Sequence, residues 1–474
     1  MDDFDAASLL GRFQALVGDR LDSLHLLPVA APSNALALPA MCAPPLSGTG
    51  LDAAVETFRA TWLSGFSASP GPRYFGFVTG GTTPAALLGD WLASALDQNA
   101  MGSSDSISPQ FEAEALRLFR ELIDLPDDYV GSFVTGATMA NFVGLSVARQ
   151  WLGELHGVDI ASQGLQALPS APLVLSGAPH SSIYKAMAMA GIGRDNLRTI
   201  PLLPEREAID PRELEAALLA HGEPCIVVAN AGTVNSADFD DLRALVALRE
   251  RHPFWLHVDA AFGGYAAASP KYRDLVDGLT GADSIAIDAH KWLNVPYDCA
   301  VQFSRRMDLQ NQVFNNAASY LPSAYSPTNF VHMTPENSRR LRALPVWFTL
   351  QAYGKFGYAA MIERHCDLAQ SLASWIDADP GFELLSKPRL NGFCFVLRTE
   401  EGRAGQPLHA AYLKRLADDG RVFITLSQYL GVPAIRVSIS NWRTSEADID
   451  IVWDAMRELH PRASHSGAHR APMV

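Results

Sequence analysis

Five short apolar runs dominate the middle of the chain: Gly131-Ser-Phe-Val134, Leu173-Val-Leu175, Cys225-Ile-Val-Val-Ala229, Trp255-Leu-His-Val258 and Ser284-Ile-Ala-Ile287. Segments with helical periodicity separate them. A strand that is apolar on both faces is buried on both faces. Such runs alternating with helices therefore predict an α/β fold with a mostly parallel central sheet and helices on each side. Sheets of this kind bind ligands beyond the carboxyl ends of their strands. Here those ends read Thr135-Gly-Ala-Thr138, Ala178-Pro-His180-Ser-Ser182, Gly232-Thr233 and Asp259-Ala-Ala261.

The 474 residues exceed what one core holds, so more than one domain is expected. Residues 1–68 read as a helical arm, with Leu9, Leu10, Phe13, Leu16, Val17 and Leu21 on one helix face. A Pro/Ala-rich connector then runs from Leu27 to Gly50, and a second helix from Leu51 to about Ser64. Such an arm cannot bury its apolar face alone and is expected to pack on a partner subunit. Residues 69–355 form the expected large domain, ending near a helix at Val346–Phe356. Residues 356–460 form a smaller α+β domain, in which Phe393–Leu397, Val422–Thr425 and Ile435–Ile439 alternate like antiparallel strands. The tail, 461–474, is rich in His, Ser, Ala and Pro and is expected to be disordered.

Net charge is −14, from 37 basic and 51 acidic residues, which argues against a general binder of nucleic acid or anionic membrane. The five cysteines form no C-x-x-C pair, so neither a zinc ribbon nor a disulfide framework is expected. The acidic start, Met1-Asp-Asp-Phe-Asp-Ala, lacks the features of a signal peptide, and no apolar run is long enough to span a bilayer. A cytoplasmic protein with free thiols is the expectation. Phosphate loops of the Walker type, G-x-G-x-x-G fingerprints and G-x-S-x-G elbows are all missing.

Two positions carry the most chemistry. One apolar run delivers Asp259, followed by the small residues Ala260 and Ala261; another delivers His290 and Lys291. A strand-end acid often does no more than cap the next turn. Paired with a lysine at the same sheet edge, it suits pyridoxal 5′-phosphate (PLP): the lysine forms the Schiff base, and the acid keeps the pyridine nitrogen protonated so that the ring accepts electrons. His180 leaves the same edge and can stack on the ring, the Ala261 methyl can touch it, and Thr138 opens a helix whose N–H groups can take phosphate. His257 and Asp259 could be read as metal ligands on one strand face. However, no further His cluster supplies the third ligand that a catalytic zinc needs, so no metal is expected.

From about residue 50 to 450 the chain resembles the group II PLP-dependent decarboxylases, the family of aromatic-L-amino-acid, glutamate and histidine decarboxylases. The resemblance rests on Tyr74-Phe-Gly-Phe77, Gly136-Ala-Thr138, His180-Ser-Ser182, Gly232-Thr233, His257-Val-Asp-Ala-Ala261, His290-Lys-Trp292 and Ser338-Arg-Arg-Leu-Arg342. It implies fold type I and a homodimer with active sites at the subunit interface. It makes Lys291 the Schiff-base lysine, Asp259 the pyridinium partner, Ala261 and His180 the ring contacts, and Ala137 and Thr138 part of the phosphate cup. Thr233 falls near the ring, and His290 beside phosphate and substrate. The implied reaction is decarboxylation of an L-amino acid, aromatic or related, to its amine through a quinonoid intermediate, with Lys291, His180, Asp259 and His290 as catalytic residues.

Three departures stand out. Asp288 replaces an asparagine that contacts phosphate in the aromatic-amino-acid enzymes, and its charge would repel a dianion unless turned away. In the loop from about Tyr320 to Asn337, Phe330 falls near the position of the family's proton-donating tyrosine, with Tyr320, Tyr325 and His332 nearby. In relatives that produce aldehydes, phenylalanine takes that tyrosine's place. The segment Phe77-Val-Thr-Gly-Gly81 is less aromatic than in enzymes specific for aromatic substrates. The rival readings are an aldehyde synthase or carbon–carbon lyase of the same fold, and a non-catalytic relative with a binding role.

Overall fold

The computed structural model describes residues 5–36, 47–101, 105–316 and 328–461. Each of the five apolar runs is a strand, at bounds shifted by no more than a residue or so. They are β1 (Val130–Val134), β2 (Val174–Ser176), β4 (Cys225–Asn230), β5 (Phe254–Asp259) and β6 (Ser284–Asp288). Two further strands complete the sheet: β3 (Leu197–Thr199) and β7 (Ala300–Ser304). The order is β1-β7-β6-β5-β4-β2-β3. Pairing is parallel from β3 through to β6, and only β7 runs antiparallel, wedged between β6 and β1. β3 escaped the sequence pattern because this edge strand reads Leu-Arg-Thr, with two of its three residues exposed. β7 escaped it because a polar Gln302, fully buried, interrupts its apolar run.

The parallel order brings the carboxyl ends of β4, β5 and β6 side by side, Asn230 opposite Asp259 and Asp259 opposite Ala286. Helix α5 (Ala137–Leu155) packs across β5, β6 and β7. Its small Gly144 permits the close approach: a Cβ there would lie 2.6 Å from the ring of His257 on β5.

A second, antiparallel sheet comprises β8 (Phe382–Leu384), β9 (Gly392–Thr399), β10 (Gly402–Arg403), β11 (Thr425–Tyr429) and β12 (Val432–Ser438). The expected strand at Val422–Thr425 begins only at Thr425. Phe423 instead makes a single parallel bridge to Tyr74, with the Phe75 N–H donating to the Phe423 carbonyl at 2.8 Å. Phe75 is consequently buried in the core of the second sheet, and the segment after it is led back to the edge of the first. The 36-residue helix Ala343–Ala378 joins both cores, broken at Gly354 where φ is +59°. Cys366 still packs on the large sheet's core, whereas Leu368 begins the second.

The N-terminal helices, α1 (Ala6–Asp22) and α2 (Leu51–Thr61), bury no residue in this chain. Leu9, Leu10 and Phe13 remain exposed. The connector's residues 37–46 and the tail's 462–474 lie outside the described residues. No helix among the described residues is long and apolar enough to cross a membrane.

The motif Ser338-Arg-Arg-Leu-Arg342 pins three elements. Arg339 forms a two-pronged ion pair with Glu112, both side chains essentially unexposed. Arg340 reaches Asp90 and Ser94 on α3 (Pro84–Leu96). Arg342 holds both carboxylate oxygens of Asp298 at 3.1 Å. Removing one partner of a buried pair strands the other charge. Arg339→Ala is therefore expected to destabilise the protein by about 3–5 kcal/mol, read as a lower urea midpoint. Replacing Arg339 and Glu112 together with apolar residues should cost less.

Candidate active site

Asp259 ends β5, Asp288 ends β6, and Lys291 lies in the single helical turn Ala289–Trp292 that follows. Together with Gly136, His180 and Arg436 they line one cavity of about 340 Å³. Ala137, Thr138, Ala261 and His290 lie on the same wall. Of the eight cofactor-binding and catalytic residues expected from the sequence, the fold thus gathers all but one.

That one is Thr233. It is 2% exposed, and it is absent from the cavity wall, although its neighbours Gly232 and Val234 are there. Its hydroxyl donates to buried Glu207 at 2.8 Å. Asn235 and Ser236 donate to the same carboxylate. Thr233 is thus turned into the loop after β4, because a buried carboxylate must collect donors.

Asp259 is held at both oxygens. The Asn141 amide donates to Oδ2 at 3.0 Å, and the Ala261 N–H to Oδ1 at 3.2 Å. His180 caps the helix Ser181–Met189: its Nδ1 accepts the Ser182 N–H at 3.2 Å and lies 2.8 Å from the Ser182 hydroxyl. Burial pushes its imidazole below the ordinary range, which keeps it neutral. His290 is lowered by burial too, and its Nδ1 faces the Cys299 carbonyl at 2.9 Å.

Lys291 Nζ lies 3.0 Å from Asp288 Oδ2. The other oxygen of Asp288 accepts the Ala137 N–H, the first of α5, at 2.6 Å. The carboxylate is thus not turned away from the anion-binding helix end but lies against it, balanced by the lysine charge. Gly80 packs directly on the Lys291 segment: a Cβ there would fall 2.1 Å from the Lys291 carbonyl oxygen. From Gly80 the chain runs on to Thr83, which caps α3. Asn294 fastens the same segment to the second sheet by donating to the Ser440 carbonyl and accepting from the Trp442 N–H.

Three lining or supporting residues were not singled out from sequence. Arg436 on β12 is buried, with its Nε unpartnered among the described residues. Its signal was weak, since an Arg in an alternating strand normally faces solvent. Tyr297 packs its ring 4.5 Å from that of His290, and burial pushes its phenol up to about 12. Asn141, fully buried, supports Asp259 from a position one turn along α5.

The loop residues are placed differently from the expectation. Phe330 is fully buried beneath the Arg339 guanidinium, and His332 is buried beside it. Neither reaches the cavity wall. Tyr320 and Tyr325 lie outside the described residues.

A doubly covered, mostly parallel sheet with lysine and carboxylate at adjacent strand ends, and a smaller antiparallel domain closing the cavity, defines a fold type I PLP-dependent enzyme. Residues 45–398 match the pyridoxal-dependent decarboxylase conserved domain, and the chain belongs to that family. It is 28% identical over 435 residues to phenylacetaldehyde synthase of Arabidopsis thaliana, covering 86% of each chain. It is 27% identical over 409 residues to aromatic-L-amino-acid decarboxylase of Sus scrofa, covering 82% of each. Its fold matches the crystal structure of Oryza sativa TDC with PLP and tryptamine at a TM-score of 0.88, with 23% identity over 98% of this chain and 99% of the other. The protein is accordingly a PLP-dependent carboxy-lyase.

The cavity's chemistry suits the cofactor: an amine at Lys291, a carboxylate held by N–H donors at Asp259, a neutral imidazole at His180, a methyl at Ala261, and the helix start at Thr138. Among the described residues that line the cavity, Asp288 is the acid that lies against the start of α5, where it adds negative charge.

Two buried histidines lower stability in acid. Burial lowers His257 from 6.5 to about 4, and His365, which accepts the Trp292 N–H, to about 3. Below the unfolded value of 6.5 the unfolded chain takes up protons that these folded histidines refuse, so stability falls as pH drops through this window. His365→Gln should lose roughly 2 kcal/mol less than the wild type between about pH 7 and about pH 5, measured by urea unfolding.

Proposed function

We propose that this enzyme decarboxylates an aromatic or related L-amino acid to its amine, with Lys291 as the amine that holds PLP. The observation that carries the reading is the joint placement of Lys291 and Asp259 at neighbouring strand ends on one cavity wall. An aromatic substrate is supported by Phe77 and Tyr297 at the same cavity and by the names of the curated relatives.

Bound PLP supplies the electron sink for the pair released when the Cα–carboxylate bond breaks. Lys291, Asp259, Ala261, His180, Thr138 and the first N–H groups of α5 would hold it. Asp259, braced by Asn141 and the Ala261 N–H, keeps the ring nitrogen's proton in place. His180, neutral and fixed by Ser182, offers a flat uncharged face. Arg436 at the cavity wall supplies a positive charge that can attract the incoming carboxylate. His290 and Tyr297 flank the lysine with groups able to hold or pass a proton. Closure of the cavity is proposed to need a second subunit, on which the exposed apolar faces of α1 and α2 would pack.

An aldehyde product is the second reading. It is favoured by the burial of Phe330 and His332, which leaves the described part of that loop without a proton donor at the cavity. Decarboxylation is common to both outcomes.

Purified protein is expected to be yellow and to bleach with borohydride. Lys291→Ala should abolish that reaction and lower the rate of carbon dioxide release by at least about a thousandfold. Unchanged release would overturn the assignment of Lys291. In an amino-acid screen, amine without ammonia or peroxide supports the decarboxylase, and ammonia with peroxide supports the aldehyde synthase.

A further inference from the structure

Beneath the cavity, a buried chain of polar side chains stands behind Asn141 and has no part in the proposed chemistry itself. Trp255, Ser284, His257 and Asn141 are each no more than 1% exposed. The Trp255 indole N–H donates to Ser284 Oγ at 2.9 Å. Ser284 Oγ lies 2.8 Å from His257 Nδ1. His257 Nε2 lies 2.9 Å from Asn141 Oδ1. The Asn141 amide nitrogen then faces Asp259 Oδ2 at 3.0 Å and Ser182 Oγ at 3.2 Å.

The donors can be assigned in only one direction. Asp259, as a carboxylate, accepts, so it faces the NH2 of Asn141, and the Asn141 oxygen faces His257. That oxygen needs a donor, so His257 carries its proton on Nε2. Burial keeps this ring neutral at pH 7, so Nδ1 is an acceptor and Ser284 must donate to it. Ser284 in turn accepts from Trp255, whose indole can only donate. At the other end the Asn141 NH2 splits. One N–H goes to Asp259 and the second to Ser182 Oγ, which leaves the Ser182 hydroxyl proton for His180 Nδ1. His180, accepting at Nδ1 from both the Ser182 hydroxyl and the Ser182 N–H, therefore carries its own proton on Nε2.

We infer that Asn141 is a positioning residue: one amide, locked against flipping by the Trp255–Ser284–His257 chain, fixes both the orientation of the Asp259 carboxylate and the tautomer of His180. The placement is built into the fold. Gly144, one turn further along α5, leaves the space that the His257 ring fills. Flipping the amide would set its oxygen against the Asp259 carboxylate and its NH2 against the His257 N–H. Both contacts are repulsive, and at these buried side chains the low dielectric strengthens the repulsion. This inference rests on the proposed roles of Asp259 and His180.

The test titrates apoprotein with PLP and follows the absorbance of the bound cofactor as a function of pH. A hydrogen bond to a charged group contributes enough that Asn141→Ala should weaken PLP binding by about tenfold or more. It should also move the pH at which the bound cofactor's spectrum changes, which a loss of stability alone would not do. His257→Leu, which leaves Asn141 in place but frees it to flip, should act in the same direction. His257→Gln, whose amide can donate to Asn141 and accept from Ser284, should regain most of the affinity. Wild-type affinity and spectrum in Asn141→Ala, with both lost in Asp259→Asn, would overturn this inference alone. Wild-type behaviour in Asp259→Asn would overturn the reading beneath it. If Asn141→Ala does not fold, the two His257 variants decide: equal affinity in Leu and Gln overturns the inference.

Discussion

A carboxylate at the end of a buried strand must be given partners, and the rest of this site follows from that requirement. Asp259 and Asp288 end adjacent strands in a sheet whose core admits no water. Asp259 takes the Asn141 amide and a main-chain N–H; Asp288 takes the first N–H of α5 and the Lys291 ammonium. The two acids thereby draw the helix start, the lysine turn and the strand ends into one cluster. The same arrangement would suit the proposed cofactor, with one acid for its ring nitrogen and the lysine for its aldehyde.

The second domain contributes by closing the cavity and by placing Arg436 at its wall. Residues 73–75 bridge to Phe423 and carry Phe77 and Thr79 to the cavity. Arg436 from β12 enters the wall, and Asn294 ties the lysine turn to Ser440, just beyond that strand. A substrate would meet groups from both sheets, so their relative placement matters as much as the lysine itself. The helix Ala343–Ala378 spans both cores as a single rod with one break, and it is well placed to fix that relation.

Much of this was legible in the chain. Unbroken apolar runs can only be strands covered on both faces, so β1, β2, β4, β5 and β6 were readable. Lys291, Asp259, His180, Ala137, Thr138, Ala261 and His290 fall at strand or helix ends that such a sheet brings together, and the structure gathers them. What stayed hidden has a common cause. β7 carries a buried glutamine and β3 an exposed arginine, so their patterns resemble loops. Thr233 sits at the right strand end, but its hydroxyl is claimed by Glu207, twenty-six residues earlier. Phe330 occupies a loop in sequence and the core in space.

The sequence by itself determined the sheet, the cofactor and the pair proposed to hold it, because strand periodicity and the residue types at strand ends are local properties. Only the tertiary structure decided how the charges are balanced and which side chains stand behind them. The bond from the first N–H of α5 to Asp288, the chain from Trp255 to Asn141, and Arg436 at the wall join residues far apart in the chain. Hydrogen bonds and ion pairs of this kind depend on distances of a few tenths of an ångström between separate elements, and no spacing along one chain records them.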